Sequence, residues 1–337
     1  MRAVVLVGGF GTRLRPLTFT RPKQMLPVLH RPMIEHVVGQ LAGHGVDDVV
    51  LSLGYRPDGF RHAYPDGRCA GVRLHYAVEP EPLDTAGAIR FAARDAGIEE
   101  RFLVLNGDVL TDLDVTRFVA FHDRSGAEGT IALHKVADPS RYGVVPTDAH
   151  GRVTAFVEKP PPGEAPTDLI NAGTYVLEPS VLDRIDGTRR VSVEREVFPA
   201  MVADGTLFAL DDESYWIDTG TPQEYIQAQL DLLDGLRGGD AAVSGIHPAA
   251  EVAPDARVVH SVLGPGTTVA AGARIEGSVL LDGVRVGQGV VVEGSVVGAG
   301  TELGAGAELV GCSVVGDCQV IGPGERLDGA RRPEACE

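Results

Sequence analysis

Glycines and fixed positive charge occur together near the start of the chain, in the stretch "GGFGTRLRPLT" that begins at residue 8. Backbone N–H groups of glycine can approach a ligand closely because no Cβ is in the way. Arg13 follows the glycines, and Lys23 lies ten residues further on. Flexible backbone beside two cations is suited to binding a polyphosphate. The glycines of this stretch are Gly8, Gly9 and Gly11.

Two familiar phosphate-binding loops do not match this stretch. A Walker loop requires G-K-[S/T] at a fixed spacing, which is absent here. A dinucleotide fingerprint begins with G-x-G, as in Gly9-Phe10-Gly11, but its third position is Leu14 instead of Gly or Ala. Taken alone, the stretch could also be a surface turn with two solvated arginines.

A carboxylate follows one of the apolar runs. Asp108 comes directly after "LVLN", and a carboxylate at the end of a strand suits Mg²⁺, which prefers oxygen ligands. The alternative is that Asp108 caps the next helix. Asp112 and Asp114 are better placed for that capping role.

Strand and helix patterns alternate from residue 1 to about 235, which predicts a doubly wound α/β domain with a mostly parallel sheet. Ligands of such sheets bind beyond the carboxyl ends of the strands, where the glycine stretch lies. The predicted helices are 32–43, 85–96 and 115–124. The predicted strands are 3–7, 48–53, 73–78, 101–106, 129–136 and 170–177.

The sequence pattern changes after about residue 235, where the alternation of strand and helix patterns ends. Residues 236–248 form a predicted linker, and branched aliphatic residues then recur about every six residues between Val262 and Ile321. This period predicts a short left-handed parallel β-helix over residues 249–330, with about three to four coils in the repeat stretch 262–324. The regular period and the β-branched residues disfavour the alternative of a low-complexity linker.

Composition limits the class of protein. The chain has 337 residues, enough for two domains, and a formal net charge of −17, which gives a nucleic-acid partner no electrostatic support. The cysteines Cys69, Cys312, Cys318 and Cys336 form no close pair, which indicates reduced thiols in a cytoplasmic protein. No stretch reaches the ~20 apolar residues of a membrane span, and the first apolar run is too short for a signal peptide.

"GGFGTRLRPLTFTRPKQMLPV" resembles the signature of the sugar-1-phosphate nucleotidyltransferases, the nucleotide-sugar pyrophosphorylases. Five further motifs agree in order: "NGDVL", "RYGVV", "FVEKP", "INAGTYV" and "WIDTGTP". The resemblance spans residues 1–235 and implies a Rossmann-like catalytic domain. The implied reaction joins a sugar 1-phosphate to a nucleoside triphosphate, giving a nucleotide-sugar and pyrophosphate.

The resemblance also implies roles for residues of these motifs. Arg13 and Lys23 would hold the phosphates that become pyrophosphate, and Asp108 with Asp218 would hold Mg²⁺. The implied nucleotide-binding residues are Gly8, Gly9, Gly11, Thr12, Glu79, Thr85 and Gly87. The implied sugar-phosphate-binding residues are Gly143, Glu158, Lys159, Asn171 and Gly173. An isolated Glu-Lys pair would otherwise be a solvated strand edge. Residues 191–202 are a further predicted helix, whose Glu194 and Glu196 either face the sugar or, as the favoured alternative, form a plain helix surface.

The nucleobase is expected to contact "AVEPEPLDTAGAI", which begins at residue 77. An ionised Glu79 offers only acceptors, which match the two adjacent donors of guanine better than the single N–H of thymine or uracil. The alternative is that Glu79 points to solvent while backbone groups contact the base. Asp84 departs from the family, whose members commonly have Gly there.

Among the branches of the family, the chain most resembles the mannose-1-phosphate guanylyltransferases, which favours GTP and mannose 1-phosphate as substrates. Thymidylyl or uridylyl transfer to glucose 1-phosphate or to a pseudo-sugar phosphate stays open. A non-catalytic subunit that binds a nucleotide-sugar is an alternative of another class, and an acyltransferase β-helix is disfavoured because its coils lack a clear His. The β-helix is expected to support a homo-oligomer, a dimer or larger.

Overall fold

The chain forms two compact units, each described here by itself. The computed structural model describes residues 1–54, 57–237 and 244–334. The first unit comprises Met1–Gly9 and Ile34–Trp216, and the second comprises Phe10–Met33 and Ile217–Glu337. Cys336 and residues 238–243 of the predicted linker lie outside the described residues.

A mixed β-sheet forms the centre of the first unit. Its central strands consist of buried aliphatic residues, as expected of strands covered on both faces. In chain order its strands are β1 (Arg2–Leu6), β2 (Asp48–Leu53), β3 (Arg68–Cys69), β4 (Val72–Val78), β5 (Phe102–Asn106), β6 (Gly129–Lys135), β7 (Gly143–Val144), β8 (Val157–Glu158), β9 (Leu169–Leu177) and β10 (Leu207–Asp211).

The order of strands across this sheet is β8-β7-β9-β5-β1-β2-β4-β3, and β6 pairs with both β9 and β10. Strands β5, β1, β2 and β4 are parallel neighbours. Strand β9 runs antiparallel to β5, β6 and β7. The predicted doubly wound fold is confirmed, with antiparallel strands added at its flanks.

The helices agree with the predicted pattern, and the cap of one of them bears on Asp108. Asp114 accepts a hydrogen bond from the backbone N–H of Arg117 at 2.9 Å and caps the helix that starts at Val115. Because Asp114 caps this helix, the capping alternative for Asp108 is wrong. The helices are α1 (Met33–Gly43), α2 (Pro57–Ala63), α3 (Asp84–Asp95), α4 (Val115–Ser125), α5 (Phe198–Asp204) and α6 (Pro222–Leu233).

Short segments connect these elements. Those with helical turns are Thr12–Leu14, Leu17–Phe19, Lys23–Met25, Pro139–Arg141, Pro179–Arg184 and Val193–Val197. Those with extended backbone are Pro27–Val28, Arg31–Pro32, Val109–Thr111 and Trp216–Asp218.

The second unit contains the predicted left-handed parallel β-helix, formed by three parallel sheets. The first sheet contains Glu251–Val252, Thr268–Val269, Arg285–Val286, Glu302–Leu303 and Val320–Ile321. The second contains Arg257–Val259, Arg274–Glu276, Val291–Glu293, Glu308–Val310 and Arg326–Asp328. The third contains Val262–Leu263, Val279–Leu280, Val296–Val297, Val314–Val315 and Arg331–Arg332.

The predicted number of coils agrees with the register of the strands. Val262, Val279, Val296 and Val314 are successive partners, so residues 262–324 form between three and four coils, and each sheet has five strands among the described residues. The end strands, with Glu251 and Arg331, pair in the same parallel register as the others. Buried serines line one corner, and the N–H of Ser278 donates to the hydroxyl of Ser261 at 3.1 Å.

Two sequence features outside the site can be located. Cys69, Cys312 and Cys318 are free thiols, and Cys69 is buried. Among the described residues, no helix is both long enough and apolar enough to cross a membrane.

Candidate active site

The carboxyl ends of β1 and β5 bring the first glycines and Asp108 to one edge of the sheet. Leu6 is paired with Asn106 in the parallel register. Gly8 and Asp108 each lie two residues beyond that pair, as the sequence predicts for residues after neighbouring parallel strands. The N–H of Gly107 donates to the carbonyl of Leu6 at 3.0 Å and fixes the turn before Asp108.

Glu79 lies against the first of these glycines. A Cβ on Gly8 would be 3.5 Å from Oε1 of Glu79, whose residue is only 9% exposed. Oε1 accepts from the Ser52 hydroxyl at 3.3 Å, and Oε2 accepts from the N–H of Leu83 at 3.0 Å. The solvent-facing alternative for Glu79 is therefore wrong. Each oxygen has two acceptor positions, so both keep capacity for a ligand.

Asp84, where the resemblance implies Gly, has a backbone conformation that suits glycine. Its φ is 62°, in the left-handed region that is costly for most residues with a Cβ. Aspartate tolerates this region better than most residues, and Oδ1 of Asp84 accepts from the N–H of Thr85 at 2.8 Å. The departure from the family thus preserves a turn that starts α3.

Thr85 and Gly87 hold this turn against the segment around Glu194. The Thr85 hydroxyl donates to Oε2 of Glu194 at 2.7 Å and accepts from the N–H of Val193 at 2.9 Å. A Cβ on Gly87 would be 2.7 Å from Cβ of Leu83, so glycine permits a close approach there. The interpretation of Glu194 as a plain helix surface is therefore wrong.

Predicted sugar-phosphate residues lie together on β7 and β8. Gly143 is the register partner of Glu158, and a Cβ on Gly143 would be 3.0 Å from Oε2 of Glu158. Nζ of Lys159 lies 3.2 Å from Oε1 of the same glutamate. Lys159 has a φ of 50°, an unusual conformation for a residue with a side chain and one that is often found at functional sites.

Asn171 and Gly173 form an irregular part of β9. Gly173 has a φ of 75°, and its N–H donates to Oδ1 of Asn171 at 3.0 Å. Nδ2 of Asn171 donates to the hydroxyl of Tyr175 at 3.0 Å. A Cβ on Gly173 would be 2.6 Å from Nδ2 of Asn106, so only glycine allows this approach between β9 and β5. Both polar atoms of the Asn171 side chain thus support the strand itself.

Tyr175 lies near both Glu194 and Glu158, the glutamates of the two preceding residue groups. Burial raises the pKa of its phenol, and the negative charges of Glu194 and Glu158 raise it further. The ring also contacts Phe198, with centroids 5.1 Å apart. Glu194 and Glu158 therefore both lie near the neutral phenol of Tyr175, a buried residue of β9.

Trp216 is a further residue of this region that the sequence analysis did not single out. Its indole N–H donates to the carbonyl of Ala172 at 2.9 Å, directly beside Gly173. Its ring stacks on His134, with centroids 5.3 Å apart. Its position at the start of "WIDTGTP" is the sequence signal that could have identified it.

In the second unit, Gly11 lies between the turn that begins at Thr12 and the side chain of Lys23. Gly11 has a φ of 60°, and its carbonyl accepts from the hydroxyl of Thr18 at 2.9 Å. A Cβ on Gly11 would be 3.2 Å from Cβ of Lys23. The exposed Thr12 begins the short helical turn that carries Arg13.

Arg13 and Asp218 approach each other over Gly220. A Cβ on Gly220 would overlap the Arg13 guanidinium, with Cζ at 2.9 Å, and would be 3.0 Å from Oδ1 of Asp218. Gly220 is buried, so its missing side chain keeps open the space between these groups. Two residues from distant motifs of the sequence are thereby close together in the second unit.

Gln24 is a second residue that the sequence analysis did not single out. It is 1% exposed, and neither atom of its side-chain amide has a hydrogen-bond partner among the described residues. A buried amide without partners costs about 1–3 kcal/mol.

The carboxylates Asp108 and Asp218 fit the donor set of Mg²⁺. This ion is bound in many enzymes by one or two carboxylates together with substrate phosphates and water. Among the described residues, no group of three or more His, Cys, Asp or Glu side chains could hold a metal without a substrate. Oδ1 of Asp218 lies 3.0 Å from the Cβ position of Gly220, next to the Arg13 guanidinium.

Comparison with known proteins decides the family. Residues 2–235 match the family model described as Nucleotidyl transferase, and residues 242–330 match the GMPPB C-terminal domain. The chain belongs to the nucleotidyl transferase family. The family that the six motifs resemble is confirmed, and so is the class of enzyme.

Two curated relatives of this nucleotidyltransferase carry closely similar names. A protein of Mycobacterium tuberculosis named mannose-1-phosphate guanylyltransferase is 42% identical over 264 residues, which cover 76% of this chain and 73% of that protein. A mannose-1-phosphate guanyltransferase of Schizosaccharomyces pombe is 46% identical over 242 residues, covering 70% of this chain and 66% of that protein.

Solved structures share the fold of the nucleotidyltransferase. HddC from Yersinia pseudotuberculosis superposes with a TM-score of 0.60 at 29% identity, covering 68% of this chain and 99% of that chain. The same protein has been solved in complex with GMP-PN. A putative glucose-1-phosphate thymidylyltransferase from Bacillus anthracis superposes with a TM-score of 0.63 at 23% identity, covering 72% of this chain and 97% of that chain.

Proposed function

We propose that this nucleotidyltransferase moves the guanylyl group of GTP to mannose 1-phosphate, giving GDP-mannose and pyrophosphate. The observation that carries the proposal is the 42% identity to the M. tuberculosis mannose-1-phosphate guanylyltransferase across three quarters of the chain. The buried acceptor pair of Glu79 supports guanine as the base, because guanine presents two adjacent donors.

The reaction requires positioning and charge stabilisation more than proton transfer. The attacking phosphate oxygen of the sugar is already an anion, so no general base is needed. Arg13 and Lys23 would hold the phosphates that leave as pyrophosphate, and the guanidinium would offset charge that develops on them. Gly8, Gly9 and Gly11 would present backbone N–H groups to the triphosphate.

Asp108 and Asp218 would hold Mg²⁺ together with phosphate oxygens of the substrates. When bound, this ion offsets negative charge on the phosphate that is attacked and on the leaving group. Within the second unit, Asp218 would hold the cation close to Arg13, because both side chains lie beside the Cβ position of Gly220.

The sugar phosphate would bind where β7, β8 and β9 meet. Glu158 accepts hydrogen bonds from sugar hydroxyls, and the exposed Lys159 is positioned to pair with the sugar phosphate. Gly143 keeps the backbone close to Glu158. Asn171 and Gly173 shape the floor of this pocket through their mutual hydrogen bond.

The test is an assay that offers GTP, dTTP and UTP in turn with mannose 1-phosphate or glucose 1-phosphate and measures pyrophosphate release. We expect the highest kcat/KM for GTP with mannose 1-phosphate. A preference for dTTP with glucose 1-phosphate would favour the thymidylyl alternative. Turnover only with a pseudo-sugar phosphate would favour the alternative of nucleotidyl transfer to that substrate.

Self-association as a dimer or larger oligomer stays a prediction, which light scattering of the purified protein tests.

A further inference from the structure

The end of the β-helix contacts the turn that carries Arg13, within the second unit. Nη1 of Arg331 donates to the carbonyl of Arg13 at 3.0 Å and also to the carbonyl of Arg15. These carbonyls lie at the end of the short helical turn Thr12–Leu14. A cation placed there satisfies acceptors that the turn itself leaves unpaired.

A carboxylate of the β-helix holds the next part of the same segment. Oδ2 of Asp317 accepts from Nη2 of Arg21 at 2.8 Å and from the hydroxyl of Thr20 at 2.6 Å. Oδ1 of Asp317 accepts from the backbone N–H of Ala299 at 2.8 Å, which fixes the carboxylate on the β-helix. The side chain of Asp317 is only 9% exposed, so the ion pair is largely shielded from water.

Close backbone packing completes this contact. A Cβ on Gly316 would be 3.1 Å from Cβ of the buried Pro16. The three contacts together span the segment from Arg13 to Arg21. They join residues about 300 positions apart in the chain.

We propose that the last coils of the β-helix position Arg13 for nucleotidyl transfer, through Arg331 and Asp317. This inference rests on the role of Arg13 in the proposed function. A turn of three residues has little stability of its own, so its orientation depends on what holds its ends. Displacement of a charge-stabilising group by ~1 Å can cost up to about 10² in rate. Arg331 and Asp317 are thus positioning residues.

Steady-state kinetics of matched variants test this role. Arg331→Ala should lower kcat about tenfold and leave KM for mannose 1-phosphate within about twofold, since the sugar site is untouched. Arg331→Lys keeps one donor and should recover part of kcat. Arg326→Ala is the matched control, because Arg326 lies in the same coil and its ion pairs are with Glu308 and Asp328. We expect it to behave as the unmodified protein.

Hydrogen exchange supplies a readout that does not depend on activity. Amides of residues 11–21 should exchange faster in Arg331→Ala and in Asp317→Asn, and at the normal rate in Arg326→Ala. Equal kcat in Arg331→Ala and Arg326→Ala, or unchanged exchange of residues 11–21, would overturn the inference. If the unmodified protein does not convert GTP and mannose 1-phosphate, the proposed function is wrong. The hydrogen-exchange result would still decide whether Arg331 and Asp317 hold residues 11–21.

Discussion

The Arg13 guanidinium and the Asp218 carboxylate converge on the space above Gly220, within 3.0 Å of the point where its Cβ would stand. The guanidinium is suited to binding the leaving phosphates, and the carboxylate is suited to binding a divalent cation. Their convergence gives a single place in the second unit where opposite charges of the reaction can be offset. The absence of a side chain at Gly220 is therefore a requirement of this geometry.

Gly220→Ala should impair catalysis by displacing Arg13 or Asp218. The added Cβ would overlap the guanidinium, so one of the two charged groups must move. We expect kcat to fall by about 10- to 100-fold in pyrophosphate-release assays, with a smaller change in KM.

Gly43→Ala is the control for this substitution, because no atom lies within 4 Å of its Cβ position in α1. Its activity should be normal and its melting temperature unchanged or slightly higher, since alanine favours the helix. Normal turnover in Gly220→Ala would show that the space above Gly220 is not needed.

Metal dependence should follow from Asp108 and Asp218. Chelator should abolish activity and Mg²⁺ should restore it, and Asp108→Asn or Asp218→Asn should each lower kcat by about 10² or more. Binding of Mn²⁺ in the presence of GTP, followed by electron paramagnetic resonance, gives a readout separate from turnover. Undiminished Mn²⁺ affinity in the double variant would remove the metal assignment.

Glu79→Gln should weaken the preference for GTP. The carboxylate offers acceptors to both donors of guanine, whereas an amide presents a donor to one of them. A mismatch of this kind costs about 1–3 kcal/mol, or roughly 5- to 150-fold in the ratio of kcat/KM for GTP to that for dTTP. Competition assays with the two triphosphates measure that ratio.

Ser52→Ala separates base recognition from positioning of the carboxylate. It removes one hydrogen bond to Glu79 and leaves the charge and the bond from Leu83 in place. We expect a small change in the GTP to dTTP ratio beside a large one in Glu79→Gln. Equal ratios in the unmodified protein and in Glu79→Gln would contradict the role of Glu79.

Acid stability should depend on Glu128. Arg184 binds this carboxylate through Nε and Nη2 and is the main cause that lowers its pKa, with help from Thr206 and Ser180. A carboxyl with a lowered folded pKa stabilises the fold above the unfolded value of about 4.3, and this stabilisation is lost as pH falls through the folded pKa.

Glu128→Gln should therefore lower the free energy of unfolding by ~1 kcal/mol near pH 7. The difference from the unmodified protein should shrink below about pH 4. Urea unfolding at several pH values measures it, and a difference that stays constant down to pH 2 would contradict the assignment.

The sequence was most informative where function and fold depend on local pattern. The apolar runs predicted the strands that hold Gly8 and Asp108, and the six-residue period predicted the β-helix. The role of a glycine such as Gly11 could be predicted because it depends on local backbone conformation, here a left-handed φ. The order of the six motifs along residues 1–235 indicated the family that the family model then confirmed.

Contacts between distant segments could not be predicted in the same way. Nothing near Arg331 in the sequence indicates that its side chain holds the carbonyl of Arg13, and the resemblance ends before residue 236. The environment of Glu79 depends on Ser52 and Leu83 from two different elements. Asp84 seemed a departure until its φ showed that the turn is kept.

Product analysis of the purified protein with GTP, mannose 1-phosphate and Mg²⁺ tests the central claim most directly. Anion-exchange chromatography should show GDP-mannose and pyrophosphate forming in equal amounts as GTP disappears, and the Asp108→Asn protein should form neither at a comparable rate. Absence of GDP-mannose, with an efficient product from dTTP and glucose 1-phosphate under the same conditions, would contradict it.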